Sequence, residues 1–291
     1  WEFNGRGLIY VPVTGDWADE YLQHGYVLYD QLLYLQALRS VCSVRAHLDG
    51  TSDHELEART QRLRNLIQSN YWFDGDGEIH GDVYHPTLFR KGLDAAPLRE
   101  GEYWMPYFGP AGYGFRFDAM ANVLASLLDV ANDEQRTAVD SYIRELLDEE
   151  LPIVPAFHPV ITPVDEAWEE LQMTFQYDFR NRPHEYHNGG RWPMIGGFHC
   201  AERAKAEDLE QAARLLEGIH KANSLPAGET PSWGFAEFVN GLKPEAGGTV
   251  NQGWSAAGAV IGEHALLGEF PFRIADAAQQ IIEEHDGSER A

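Results

Sequence analysis

The spacing of apolar positions divides the chain into helices separated by long aromatic loops. Residues 26–48, YVLYDQLLYLQALRSVCSVRAHL, place apolar side chains at helical spacing on almost every face, the mark of a long, deeply buried helix. Residues 52–70 open on a Ser-Asp cap and continue as an amphipathic stripe, predicting a second helix. Over 71–115 the pattern lapses into Gly, Pro, Trp, Tyr and Phe without periodicity, and a long ordered loop region of the functional kind is expected there. Helical spacing returns over 116–131 and over 132–150, where Asn132 can cap. It is weak over 164–175, strong over 191–222 as a helix pair, and present again over 251–267 and 272–285. Convincing strand alternation is absent, so the predicted class is all-α.

About nine helices with elaborate loops at one end fit a toroid of inner helices ringed by outer ones. A complete six-hairpin, (α/α)6 toroid needs about twelve helices of ordinary length. The expectation is therefore a toroid whose N-terminal helices lie before Trp1. Neither a linker nor a repeat of fixed period interrupts residues 1–291, which read as one domain.

Composition narrows the partners. The chain of 291 residues is 44% hydrophobic and 12% aromatic, enough for a sizeable core. Its net charge is −24, with four lysines (Lys91, Lys205, Lys221, Lys243) against eighteen arginines. Such a surface repels nucleic acid and anionic membrane, so neither is expected as a partner. Acidity dispersed through helices, with scarce lysine, resembles the adaptation of proteins from salt-loving organisms, where salt screens the self-repulsion. No apolar run is long enough to span a membrane and no signal-peptide pattern opens the chain. Cys42 and Cys200 read as reduced core cysteines, and a cytoplasmic protein is expected. The oligomeric state is not set by the sequence, and a homo-oligomer is left open.

Three stretches carry candidate chemistry. In VPVTGDWADEYLQHGY (11–26), Asp16 follows a Thr-Gly turn and precedes Trp17. A carboxyl beside an indole suits a general acid, since partial desolvation raises its pKa; a turn or cap role is the alternative. Asp19 and Glu20 are competitors expected to be solvated. In EYHNGGRWPMIGGFH (185–199), Asn188-Gly189-Gly190 forms a tight turn whose glycines let backbone amides approach a ligand. His187, Asn188 and Trp192 add donors, acceptors and a stacking face, the mixture of a sugar site, although the same run also suits a helix entry with Pro193 in the first turn. In PSWGFAEFVNGLKPEAGGTVNQGWSAAGAVIG (231–262), Glu237 sits among Trp233, Phe235 and Phe238, either as a paired structural carboxylate or as a functional one. The Ala- and Gly-rich helix that follows Gln252 and Trp254 must pack closely, as an inner helix would.

Other motifs fall away. His184 and His187 lack a metal-binding spacing, so no metal is expected. DGDGEIHGD (74–82) imitates a calcium loop, but Ile79 replaces the turn glycine and His85 the closing Glu. The Gly-x-Gly of GYGFRFD (112–118) follows no strand, and neither a nucleophile elbow nor a Walker motif occurs.

Together GDWADEYLQHGYVLYDQLLYLQALR (15–39), EYHNGGRWP (185–193) and FAEFVNG…NQGWSAAGAVI (235–261) resemble the alkaline/neutral invertases, glycoside hydrolase family 100, and occur in that family's order. WMPYFGPAGYGFRFDAMANVLASLL (104–128) is similar to the segment between them. The resemblance implies an (α/α)6 barrel that hydrolyses an α-glucosidic bond of sucrose or a similar small α-glucoside with inversion, without a cofactor. It implies Asp16 as general acid and Glu237 as general base. It further implies His187 and Asn188 in the sugar-pocket turn, which continues into Gly189, and Gln252 and Trp254 in a second pocket segment. Trp17, Trp192 and Trp254 are the candidate stacking faces or pocket walls. Trp17-Ala18-Asp19 stands where the family has Arg-Arg-Met, a departure that bears on which sugar fits. Residues 167–184 find no match. A sugar epimerase or isomerase on the same toroid would use paired pocket histidines, for which His184, His187 and His199 are available. A non-catalytic sugar-binding toroid would leave the two carboxylates facing apart.

Overall fold

The computed structural model describes residues 2–3, 5–49, 53–73, 78–79 and 81–272. The helix expected over 272–285, apart from Phe272, and most of the run 74–82 lie outside them. Nine α-helices are formed among the described residues: α1 (Leu28–Asp49), α2 (His54–Tyr71), α3 (Pro86–Ala95), α4 (Ala119–Leu127), α5 (Asp133–Leu146), α6 (Trp168–Leu171), α7 (Pro193–Lys205), α8 (Leu209–Ser224) and α9 (Gly253–Leu266).

Local chemistry sets most of their starts. Asp53 caps α2 by accepting from Leu56 N, Asn132 and Gln135 form a reciprocal capping box on α5, and Asp208 caps α8; each satisfies N–H groups that a helix leaves unpaired. Pro86 and Pro193 open α3 and α7, where their missing N–H costs nothing. Helix α3 falls inside the stretch expected to be loop. Its ten residues are hidden in the sequence by the Gly- and Pro-rich flanks.

The helices form two rows. Helices α1, α4, α7 and α9 pack each against the next, and α2, α5 and α8 pack outside α1, α4 and α7 respectively. Burial follows: every residue of α4 is buried, whereas α5 buries only Val139, Tyr142 and Ile143. The short α6 and α3 belong to neither row. The row between α7 and α9 is tight because it is built on glycine. A Cβ on Gly197 would sit 2.3 Å from the Gly258 carbonyl oxygen, and one on Gly258 would sit 2.3 Å from that of Pro193.

The loops entering the four inner helices are tied to one another, which puts those helix starts at one end of the molecule. Leu28 N donates to Pro106 O, Ala119 N to Ala156 O and Ala156 N to Gly190 O. Arg191 and Val239 exchange both backbone hydrogen bonds, and Gln252 N reaches Phe235 O. Small antiparallel pairs, such as Tyr26–Val27 with Tyr107–Phe108 and Phe117–Asp118 with Phe157–His158, stiffen this end.

Candidate active site

The site is assembled from these entry loops. The segment before α1 leaves at Val11 and returns at Gly25, which exchange backbone hydrogen bonds of 2.7 Å. The loop so closed plunges inward: Trp17, Ala18, Glu20, Tyr21, Leu22 and Gln23 are all buried. Asp16 is half-buried within it, its Oδ1 accepting from Ala18 N at 3.1 Å and its Oδ2 from Gln23 Nε2 at 2.9 Å.

Gln23 Nε2 also reaches Asp118 Oδ2 at 3.2 Å. Asp118 is fully buried and caps α4 through Oδ1, which accepts from Ala121 N at 3.0 Å. Burial lifts its pKa to about 7, against hydrogen bonds that pull it down. Asp30, in the first turn of α1, is pushed to about 7 by burial and by Asp118. Burial, then the charges of Asp30 and Asp118, hold the Asp16 pKa well above the usual carboxylate range. Three carboxyls thus share a region that disfavours three charges; Asp118 is fully buried, and Asp16 and Asp30 are each half-buried.

The turn before α7 is the hub. Asn188 is fully buried, with Oδ1 accepting from Ile161 N at 2.7 Å and Nδ2 donating to Ile161 O at 2.8 Å and Asn181 O at 3.1 Å. Its amide is spent on the scaffold, not held out to a ligand. Asn181 Oδ1 in turn accepts from His187 N and Asn188 N, while its amide donates to Glu20 O. Gly189 has φ +93°, and a Cβ there would meet Val160 at 2.6 Å, so the turn requires glycine.

His187 is also fully buried. Its Nε2 donates to Asp19 Oδ1 at 3.1 Å, and burial lowers its pKa against the pull of Asp19. The hydrogen bond from His187, followed in effect by that from Tyr186, lowers the Asp19 pKa, so the pair is a neutral imidazole on a carboxylate. Asp19 is exposed, as expected, though bonded to His187 and Tyr186; Glu20, 4% exposed and 3.8 Å from Arg180, is not the solvated competitor the sequence led us to expect.

Trp192 lies at the centre of an aromatic stack. Its ring lies flat on His187 (4.8 Å, 10°) and roughly parallel to Phe238 (6.1 Å, 28°), with Trp17 edge-on at 5.8 Å. At 1% exposure, with Nε1 donating to Tyr186 O at 3.0 Å, Trp192 supports the site from beneath and offers no open face. Trp17 stacks on Phe157 at 5.7 Å and meets His187 edge-on at 5.0 Å. The neighbour of Asp16 and the neighbour of Glu237, Phe238, therefore pack on the same indole.

Glu237 is half-buried. Its backbone N donates to Thr249 O, and its Oε2 accepts from Thr249 N at 2.9 Å. Among the described residues Oε1 makes no hydrogen bond. Gly248, at φ +73°, leaves room for this carboxylate; a Cβ there would fall 2.4 Å from Oε2. Beside it opens a cleft of about 450 Å³ lined by Arg180, Glu185, Phe238, Asn240 and Gly247 among others. Gln252 is half-buried with a side chain that makes no cap on α9, and Trp254 is 46% exposed. Sequence reasoning missed Gln23, Asp30, Asp118 and Asn181. Only Asp118, an Asp directly before an apolar helix, left a trace, and that trace reads as a cap.

Among the described residues no group of three or more His, Cys, Asp or Glu is placed to hold a metal ion. None of their helices is long and apolar enough to cross a membrane.

Comparison with known proteins follows this geometry. Residues 91–267 match the family model of alkaline and neutral invertases. A probable alkaline/neutral invertase D of Arabidopsis thaliana is 28% identical over 84% of this chain and 47% of its own length. Cytosolic invertase 1 of Oryza sativa subsp. japonica is 28% identical over 67% of this chain and 37% of its own. The chain spans about half the length, or less, of the curated relatives it matches. Among solved structures, a bacterial glucoamylase complexed with acarbose superposes with a TM-score of 0.56 at 13% identity, over 88% of this chain and 36% of that one. A family 63 mannosylglycerate hydrolase from Thermus thermophilus, in complex with glucose, gives 0.52 at 15%, over 81% and 47%. At these identities the likeness speaks for the fold: the two helical rows are those of an (α/α)6 toroid.

Proposed function

Since the chain belongs to the alkaline and neutral invertase family, we propose that it is a glycoside hydrolase cleaving an α-glucosidic bond of sucrose or a similar small α-glucoside with inversion. Asp16 is the general acid and Glu237 the general base. The observation that supports this reading is a carboxyl whose pKa burial raises and a second carboxyl with an uncommitted oxygen, linked to one aromatic stack through Trp17 and Phe238.

In the reaction Asp16 gives its proton to the glycosidic oxygen as the C1–O bond breaks, and the leaving group departs as an alcohol. Glu237 Oε1 takes a proton from water, whose oxygen bonds to C1 from the opposite face. Burial, and after it the charges of Asp30 and Asp118, raise the pKa of Asp16, which favours the protonated form that an acid needs. Trp17, Gln252 and Trp254 are assigned to substrate contact, and His187, Asn188, Gly189 and Trp192 to the turn that carries the pocket. Burial weighs against an epimerase. His187 and His199 are 0% and 1% exposed, so neither imidazole is open to a sugar carbon.

Hydrolysis of a panel of α-glucosides, followed by proton NMR, tests the assignment. Initial release of β-glucose, abolished by Asp16→Asn and by Glu237→Gln, is expected. Release of α-glucose would overturn inversion, as would a carboxyl separation of about 5 Å in place of the ~6.5–9.5 Å that admits a water.

A further inference from the structure

Gln23 is almost wholly buried in the loop that carries Asp16, and its side-chain nitrogen lies between two carboxyls from different elements. Nε2 donates to Asp16 Oδ2 at 2.9 Å and to Asp118 Oδ2 at 3.2 Å. A side-chain amide carries two N–H groups, so each carboxyl receives one of them. Gln23 Oε1 is buried and has no hydrogen-bond partner among the described residues. A buried polar atom left unpaired costs stability, and an apolar side chain of the same length would avoid that cost. Packing alone therefore explains this glutamine poorly, and breaches of that kind collect at functional or strained positions.

Two of the three partners are anchored in the frame. Gln23 stands two residues before Gly25, which closes the loop on Val11. Gly25 has φ +85°, and a Cβ there would meet Phe108 O at 2.5 Å, so this closure has little freedom. Asp118 starts α4: its Oδ1 accepts from Ala121 N at 3.0 Å, and Asn122 Nδ2 donates to its carbonyl at 2.9 Å. Asp16 lies in the loop itself, its Oδ1 accepting from Ala18 N and its Oδ2 from Gln23. The amide is thus the link between a carboxyl on the loop and a carboxyl on the helix frame. It also limits where a proton can sit, because a lone pair that accepts an N–H cannot carry one.

We propose, on the reading that Asp16 is the acid, that Gln23 is a positioning residue for the proton donor: its amide fixes the Asp16 carboxyl and ties it to Asp118, so that the two respond as one unit. The titratable groups around this bridge are Tyr21 of the same loop and Tyr29 and Asp30 of α1, with the charge of Arg116 acting on Tyr21. Burial raises the pKa of both tyrosines. Of the nearby imidazoles, His24 packs beside Tyr107, His187 is bonded to Asp19, and His158, on the strand paired with Asp118, is bonded to Tyr142 and lies 3.3 Å from Glu100. Each N–H of Gln23 favours the charged form of the carboxyl it meets. Removing both should therefore let Asp16 and Asp118 hold their protons to higher pH.

NMR titration reads the bridge without substrate. In the unsubstituted protein the nitrogen-15 signal of the Gln23 side-chain amide should titrate together with the carbon-13 signals of the Asp16 and Asp118 carboxyls. A flat amide response across the carboxyl titrations overturns the proposal and needs no variant to fold. Gln23→Met keeps the length and removes both N–H groups, and should raise the Asp16 midpoint by about one pH unit. A midpoint unmoved in the folded variant overturns the proposal as well. Turnover supplies the second readout, on the α-glucoside of the panel that is cleaved fastest. The alkaline limb of kcat/KM should move up with the Asp16 midpoint, while kcat falls about tenfold and KM changes less than about twofold. A fall in kcat with the limb unmoved would make Gln23 a structural residue only and overturn its positioning role. Coupled titration without cleavage of any glucoside would remove the hydrolase reading, and with it any part of Gln23 in a reaction, and leave the bridge standing.

Discussion

Replacing Asn188 by alanine removes three hydrogen bonds from a fully buried position: Ile161 N to Oδ1 at 2.7 Å, and Nδ2 to Ile161 O at 2.8 Å and to Asn181 O at 3.1 Å. The amide and carbonyl of Ile161 both lose a partner in a place water does not reach. Each orphaned group costs about 1–3 kcal/mol, giving roughly 2–6 kcal/mol for the two. For a chain of this size about 1 kcal/mol lowers Tm by ~2–4 °C, so a fall of roughly 4–24 °C is expected. Asn188→Asp should act in the same direction, because a carboxylate would face two carbonyl oxygens with no proton to give. Thermal unfolding followed by circular dichroism, beside Michaelis kinetics below the transition, reads both properties on one preparation. A Tm within a degree or two of the parent together with a tenfold rise in KM would refute the reasoning, because it would mean that Asn188 holds substrate and not Ile161.

Asp118→Asn keeps a cap acceptor for Ala121 N but removes a buried acid whose pKa is raised to about 7. Between about pH 4 and 7 the folded chain holds that proton and the unfolded chain does not, so stability falls as pH rises through this window; urea midpoints across it should be flatter in the variant. Gly248→Ala places a methyl 2.4 Å from Glu237 Oε2 at φ +73°, and should lower kcat about tenfold or more while costing more than about 1 kcal/mol of stability; unchanged kcat in the folded variant would separate Glu237 from the chemistry. Trp192→Phe retains a ring between His187 and Phe238 but loses the hydrogen bond to Tyr186 O; kcat should fall more than KM rises, whereas a rise in KM alone would make the indole a sugar-stacking face.

The elements legible in the sequence are those whose signal is local. Asp53 and Asn132 announce α2 and α5 because a cap and a stripe lie within a few residues of each other. The Gly- and Ala-rich run of α9 announces close packing because only small side chains allow the approach seen between Gly197 and Gly258. The inner place of α9 was legible on that ground; the places of α3 and α6 were not, since both are helical without joining either row. The carboxyl cluster was invisible for a related reason. Asp16, Asp30 and Asp118 come from a loop, a helix face and a helix cap, and each has an ordinary local explanation. Only the Gln23 amide, bonded to two of them, shows that they form one electrostatic unit.

The same distinction explains why the turn over 185–192 reads so plainly as a sugar site and yet does its work indirectly. A turn dense in Asn, Gly, His and Trp has the chemistry of recognition, but here most of its polar groups face inward. Asn188 holds Ile161, His187 N is held by Asn181, and the Arg191 backbone is paired with Val239, two residues beyond Glu237. Trp192 then receives Trp17 from the loop that carries Asp16 and Phe238 from the segment that carries Glu237. Asp16 and Glu237, the proposed acid and base, come from opposite ends of the described chain, so no short-range interaction can fix their separation. A buried turn packed against the neighbours of both can fix it, and that requirement accounts for its composition as fully as contact with a sugar would.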